Sequence, residues 1–401
     1  MCGSIVLCRA RVAHTLTLAV LSTISTARPA GAQESIRDVL SFLVTNRSIA
    51  TDDFVRDEAA AAATSDTIAR FLSIELATLP IASSASGFIY RVDPAIGAVA
   101  RLTDSFGPFF VERPLTTGKN RGSLSVNYRS ATFDNIDGRN LRDGTLVSTA
   151  SVLRGTADPF DVETVSLRIH MDTITVAGSY GATDRLELGA AVPFVRLTLS
   201  GERVDTYRGR QLLQATGKGS ASGLGDVVVR AKYNLLQTSH GSIAVAAETR
   251  LATGSEEQLL GAGQSSAKPR LLVSVEQGRA TLHGDVGYSF GGLTREFDYA
   301  AAATFAAAPS LTLIAEISGR QLDQLGRLVA DTEPHPRLLG VDTIRLTGVP
   351  ETTNRVLAIA GLKWNVARTW VVGANVVRPL TTVGLNARWV PAVTVDYAFG
   401  H

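Results

Sequence analysis

From residue 121 to the C-terminus the sequence alternates apolar and polar positions in twelve stretches, near 121–133, 162–181, 185–200, 225–237, 241–253, 269–277, 279–290, 296–307, 310–319, 355–364, 369–378 and 389–399. A period of two places successive side chains on opposite faces of a strand. The linkers between these stretches fall into two classes that alternate strictly. Five are tight (182–184, 238–240, 278, 308–309 and 365–368), and six are longer (134–161, 201–224, 254–268, 291–295, 320–354 and 379–388). A soluble β-sandwich or propeller gives no reason for such sorting. A bacterial outer-membrane barrel does, with short periplasmic turns, longer extracellular loops and both termini periplasmic. The sequence therefore predicts an all-β chain, a transmembrane antiparallel β-barrel of about twelve strands over 121–399.

The last stretch carries the closure. Val393, Val395, Tyr397 and Phe399 share one parity, and Thr394, Asp396 and Ala398 share the other. A terminal strand with one greasy face needs a partner on each edge, and 121–133 and 369–378 are the candidates.

Parity also assigns faces. Val229, Ala231, Tyr233 and Leu235 oppose Arg230 and Lys232; Ile243, Val245 and Ala247 oppose Glu248, with Arg250 in the same phase. Leu282, Val286 and Tyr288 oppose His283 and Asp285, and Leu313, Ala315 and Ile317 oppose Glu316. A charge on the lipid face near the midplane costs roughly 2–4 kcal/mol, so the charged parity is expected to line the lumen. By the same rule Arg168, His170 and Asp172, opposite Val165, Leu167, Ile169 and Met171, join Arg230, Lys232, Glu248, Arg250, His283, Asp285, Glu316 and Asp396 as lumen candidates. That assignment requires a phase slip near Thr173, read as a bulge or as a strand that extends beyond the membrane. The set is mixed in sign, which suits pairing across the interior better than an ion-selective pore.

The N-terminal third differs. Arg9 and Arg11 precede an apolar run from Leu16 to Ile24, and Ala30, Gly31 and Ala32 form a cleavage site, so 1–32 reads as a signal peptide. Cleavage would remove both cysteines, Cys2 and Cys8, and leave 36 basic against 37 acidic residues. A near-neutral chain gives no reason to expect nucleic acid. Although 45% of residues are hydrophobic, no run of about 18 apolar residues follows the signal, so no spanning helix is expected. Residues 33–80 read as a helical periplasmic segment: Ile36, Val39, Leu40 and Leu43 follow helical spacing, as do Ile68, Phe71 and Leu72 further on. Residues 81–120 are irregular and glycine- and proline-punctuated. They are the candidate plug, with Phe106, Phe109 and Phe110 as the candidate gate.

Four stretches resemble a known family. They are Gly107-Pro108-Phe109-Phe110-Val111-Glu112-Arg113-Pro114-Leu115, Tyr180-Gly181-Ala182-Thr183-Asp184-Arg185-Leu186-Glu187-Leu188-Gly189, the pair Ser222-Gly223-Leu224-Gly225-Asp226 and Arg230-Ala231-Lys232-Tyr233, and Arg250-Leu251-Ala252-Thr253-Gly254 with Glu256, Glu257 and Gly261 after it. Together they resemble the outer-membrane barrels of the "meta-pathway of phenol degradation" transporter type. That family is loosely similar to long-chain fatty-acid and aromatic-hydrocarbon channels. Ala252 and Ser255 depart from the Pro and Asp that relatives tend to carry there. The aromatic ending at Phe399 resembles the C-terminal signal read by barrel-assembly machinery, with Gly400 and His401 as a departure. The resemblance implies passive passage of small hydrophobic or aromatic solutes, with outer-membrane lipid and the assembly machinery as partners.

Two other readings compete. A structural barrel without transport could anchor a partner through 34–80. An outer-membrane enzyme would need an exposed nucleophile and base, yet only His335, in a long external loop, is placed for one, and no nucleophile stands beside it. Neither a cofactor nor a metal site is expected: Glu256-Glu257 and Asp331 with Glu333 lack the spaced oxygens of a calcium loop.

Overall fold

In the computed structural model, residues 34–45, 54–77, 90–92, 99–101, 105–367 and 369–400 are described. The signal-peptide reading of 1–32 lies outside them. Twelve strands pair in sequence and close: β1 (Gly122–Phe133), β2 (Pro159–Gly181), β3 (Leu186–Tyr207), β4 (Val228–Gln237), β5 (Gly241–Arg250), β6 (Ser266–Gln277), β7 (Ala280–Gly291), β8 (Glu296–Ala308), β9 (Leu311–Leu322), β10 (Thr353–Ala367), β11 (Trp370–Pro379) and β12 (Val390–Phe399). Closure comes from β12, which pairs β11 at Trp370↔Tyr397 and β1 at Val395↔Val126. Outward-facing Trp370 and Tyr397 lie 4.8 Å apart by ring centroid, and Phe399 follows at 6.3 Å, forming a short-turn rim of the kind that aromatic girdles occupy at membrane interfaces. The fold is an outer-membrane-type β-barrel, as the linker sorting requires.

The barrel is lopsided. β2 and β3 run for 23 and 22 residues, about twice the 9–11 that a spanning strand needs, and stay paired from Gly181↔Glu187 up to Asp161↔Tyr207. Their upper halves carry a collar at the long-loop mouth. Strand Arg210–Leu224 pairs the outer edge of β3, and Leu146–Leu153 pairs β2. Val341–Val349 pairs Leu146–Leu153 and is followed by Arg327–Pro334. All four segments lie within the long linkers of the sequence pattern, where no strand is predicted. The 210–224 segment is rich in glycine, serine and threonine for a packing reason: a Cβ on Gly217 would sit 3.2 Å from Leu43, and one on Gly219 would sit 2.9 Å from Ile36. The strand is smooth there because a helix lies on it.

That helix is α1 (Ile36–Val44), opened by a capping box in which the Ser35 hydroxyl accepts from the Asp38 amide and Asp38 accepts from the Ser35 amide. Its Ile36, Val39, Leu40 and Leu43 face are buried. The second helix, α2 (Phe54–Ala77), packs on Val341–Val349 and buries Ile68, Phe71 and Leu72. Both helices sit inside the collar at the long-loop mouth, which corrects their expected periplasmic placement. The apolar surface able to receive them is there and not at the short turns. Tyr90–Val92 and Val99–Arg101 form a small hairpin.

Candidate functional site

The face pattern on β2 explains the site. Near the short turns its inward residues are Thr173, Thr175 and Ser179, and its outward residues include Ile174 and Tyr180. Above Thr173 the strand stays in phase, but its chemistry inverts. Val165, Leu167, Ile169 and Met171 point inward and are at most 2% exposed, and Val195, Leu197 and Leu199 of β3 join them. Arg168, His170 and Asp172 point outward, each paired in register with outward Ser200, Thr198 and Arg196 of β3. The expected lumen role of these three residues is therefore wrong, and of the two readings of the phase slip at Thr173 the long strand holds and the bulge does not. Above the lipid boundary, outward means water, and the interior is filled by α1 and α2.

The other candidates do face inward. Arg230, Lys232, Glu248, Arg250, His283, Asp285, Glu316 and Asp396 all lie on the inner wall, and most are buried because the lumen is occupied. Its lower occupant is the segment 105–119. Phe106 is fully buried, Phe109 is 5% exposed and Phe110 is partly buried. Glu316 accepts the backbone N–H groups of three consecutive residues, Phe109, Phe110 at 2.9 Å and Val111 at 3.1 Å. A hydrogen bond to a charged group contributes about 1.5–3 kcal/mol, so this one carboxylate is a strong tether. Lys363 closes the opposite side, donating to the carbonyls of Gly107 at 2.8 Å and Pro108 at 3.0 Å and lying 4.8 Å from the Phe109 ring centroid. Gly361 and Gly373 leave space for that ring: a Cβ on Gly361 would come within 2.7 Å of it, and one on Gly373 within 2.9 Å.

Further along, the Glu112 amide donates to Asp285 at 3.1 Å, and its carboxylate pairs with Arg230 at 2.5 Å and Lys232 at 2.8 Å. Lys232 also reaches Glu187 at 3.1 Å, Glu187 accepts the Thr117 amide at 2.6 Å, and Asn234 donates to the Pro114 carbonyl at 3.1 Å. His283 is a wall member, with Nδ1 2.7 Å from the Ser274 hydroxyl. The segment is thus held by wall side chains and adds no strand to the sheet. Sequence reasoning found Phe106, Phe109 and Phe110 but gave no role to Glu112, which lies inside the motif that carries the family resemblance.

The upper occupant is clamped as well. Glu75 of α2 pairs with Arg355 and, at 3.4 Å, with Arg129; Asp57 pairs with Arg345 at 2.6 Å. Beside them the collar buries Asp161, Glu163 and Asp205. Burial raises the Asp161 carboxyl to about 7, helped by its hydrogen bond and repulsion with Asp205. Glu163 also rises to about 7, because burial and the surrounding carboxylates outweigh its 2.8 Å contact with Arg203. His335 is buried, with Nδ1 accepting the backbone N–H groups of Arg337 and Leu338. It is a loop-capping residue and not the exposed base that its loop position suggested. Between Ile74 of α2 and the wall residues Glu248, Arg250, Lys268, Glu296 and Arg320 lies a crevice of about 40 Å³. It has room for a few waters but not for an aromatic solute.

Three comparisons bear on this arrangement. A family model described as "Putative MetA-pathway of phenol degradation" matches residues 143–321. That range contains the motif stretches beginning at Tyr180, Ser222 and Arg250, while Gly107–Leu115 lies outside it. A search of curated proteins finds no match. Among solved structures, an outer-membrane channel from Pseudomonas putida F1 is 12% identical at a TM-score of 0.44, covering 71% of this chain and 97% of its own. The TodX deltaS2S3 mutant, a monoaromatic hydrocarbon channel, is 11% identical at 0.35, covering 72% and 93%. A Pseudomonas aeruginosa FadL homologue is 11% identical at 0.35, covering 80% and 99%.

Proposed function

We propose that the protein is a passive outer-membrane channel for small hydrophobic or aromatic compounds, gated by the segment 105–119 with Phe106, Phe109 and Phe110 at the constriction. The observation that carries this reading is a single apolar cluster. It runs from the α1 face through Ile169, Leu197 and Leu199 and on to Phe109, so an apolar solute that parts these packed side chains would meet apolar surface from the long-loop mouth to the gate. The family resemblance favours the same cargo. A segment tethered by side chains is a movable part: its release opens the lower lumen without breaking the wall, and passage from the long-loop mouth also requires α1 and α2 to shift. Export by way of the signal at 1–32 belongs to this reading.

Swelling of vesicles containing the purified barrel tests it. Aromatic solutes such as toluate should enter faster than polar sugars of similar size, and Phe109→Ala should raise the rate for both. Equal and vesicle-like rates for all solutes, unchanged by Phe109→Ala, would instead favour a sealed structural barrel.

A further inference from the structure

The outward face above the lipid boundary is the region that neither the gate nor the barrel wall uses. The boundary is marked by Tyr128, Ile174, Phe194 and Leu224, four outward apolar residues, each nearly half exposed, on β1, β2, β3 and strand Arg210–Leu224. They lie in one register row, Tyr128↔Ile174↔Phe194↔Leu224. Immediately above that row the same face carries exposed Arg196, and further up it carries exposed Arg168 and Lys218. Register places Arg168 and Lys218 on either side of Ser200, and Arg196 between Asp172 and Ser222. Strand spacing then puts Arg168 and Lys218 about 10 Å apart, with Arg196 roughly 13 Å along the strand from Ser200. The hydroxyls of Thr198, Ser200, Ser220 and Ser222 fill the space between them on this face.

Among the described residues, none of these three cations has an ion-pair or hydrogen-bond partner. The inward cations Arg129, Arg203, Arg230, Lys232, Arg270 and Arg320 are all ion-paired. The carboxylates on the outward face are engaged: Asp172 takes Tyr128 at 2.8 Å and His170 at 3.1 Å, and Glu202 lies 3.4 Å from the Ser166 hydroxyl. The upper aromatic rim of the opposite wall, Tyr288, Phe290 and Phe297, has no comparable cation row on its strands. A wall that turns cationic just above its apolar band, on one side only, is complementary to phosphate-bearing headgroups packed against it.

We infer that the outward face of β2, β3 and strand Arg210–Leu224 binds an anionic, phosphate-bearing glycolipid of the outer leaflet, through Arg168, Arg196 and Lys218. The spacing suits a headgroup with more than one phosphate, its acyl chains lying on the Ile174 and Phe194 row. Contacts of this kind weaken as salt rises.

The test uses the full-length protein in vesicles of phosphatidylcholine, with and without diphosphorylated lipid A, with lipid retention read by native mass spectrometry after gentle delipidation. The wild-type barrel should retain lipid A, and the triple variant Arg168→Ser, Arg196→Ser, Lys218→Ser should retain several-fold less. A variant carrying Lys at 168 and 196 should behave like wild type. Heat-modifiable migration verifies that each variant is folded. Equal retention by wild type and the folded triple variant overturns the assignment. So does equal retention of dephosphorylated lipid A, or displacement of the lipid by millimolar free pyrophosphate, which would place the affinity in the phosphate alone.

Discussion

The lower and upper halves of the β2–β3 wall are built from the same strands in the same phase, yet they obey opposite rules. Below Thr173 the outside is apolar and the inside polar, because the outside meets lipid and the inside holds the hydrogen-bonded segment 105–119. Above it, Leu167 and Leu197 point inward while Arg168 and Arg196 point outward, because the outside meets water and the inside meets α1 and α2. A strand's alternation fixes which residues share a face. What each face touches is fixed by how far along the barrel axis the residue lies.

The contrast can be broken most severely at its junction. Glu75→Ala would leave Arg129 and Arg355 buried without their carboxylate, and breaking such a buried pair costs about 3–5 kcal/mol. The expected readout is a lower temperature for loss of heat-modifiable migration, with α2 newly open to protease. Leu197→Ala acts in the upper half alone. The cavity left against α1 should cost about 2–5 kcal/mol and expose the helices to hydrogen exchange, while barrel strands β5 to β9 keep their protection. The same truncation at Phe194, three residues away but facing lipid, should change exchange of α1 far less.

Acidity sharpens the comparison from another side. Asp161 and Glu163 titrate near 7 in the collar against 3.8 and 4.5 ordinarily. Their pKa values are raised, so the folded collar binds more protons than the unfolded chain between about pH 4 and 7, and its stability falls as pH rises through that window. Exchange rates of α1 and α2, corrected for intrinsic pH dependence, should therefore be lower at pH 5 than at pH 8. Rates that rise on acidification would show that these carboxylates are stabilised as anions. Asp161→Asn should flatten the dependence.

Much of the fold was legible because membrane strands and tight turns leave local marks. The twelve strands and the helix over Ile36–Val44 follow from period and spacing, and the closing role of β12 follows from its single greasy face. The collar strand Arg210–Leu224 was not legible: its glycines, needed for the approach of α1, look like loop composition when the helix is out of view. Arg168, His170 and Asp172 were misplaced because the rule that hides charges from hydrocarbon was applied above the hydrocarbon. At the candidate site the wall acids and the phenylalanines could be found one by one. That Glu316 would collect three successive amides, or that Glu112 would sit between Arg230 and Lys232, depends on contacts across more than a hundred residues of chain, which no local pattern records.

The central claim is that the chain's own segment 105–119 closes the lumen and is held there by wall side chains, Glu316 above all. Planar-bilayer conductance tests it most directly. Wild-type protein should be silent or open only briefly, and Glu316→Ala, which leaves three amides without their acceptor, should open often or stay open. A wild-type barrel that conducts steadily, or a folded Glu316→Ala variant as silent as wild type, would contradict it.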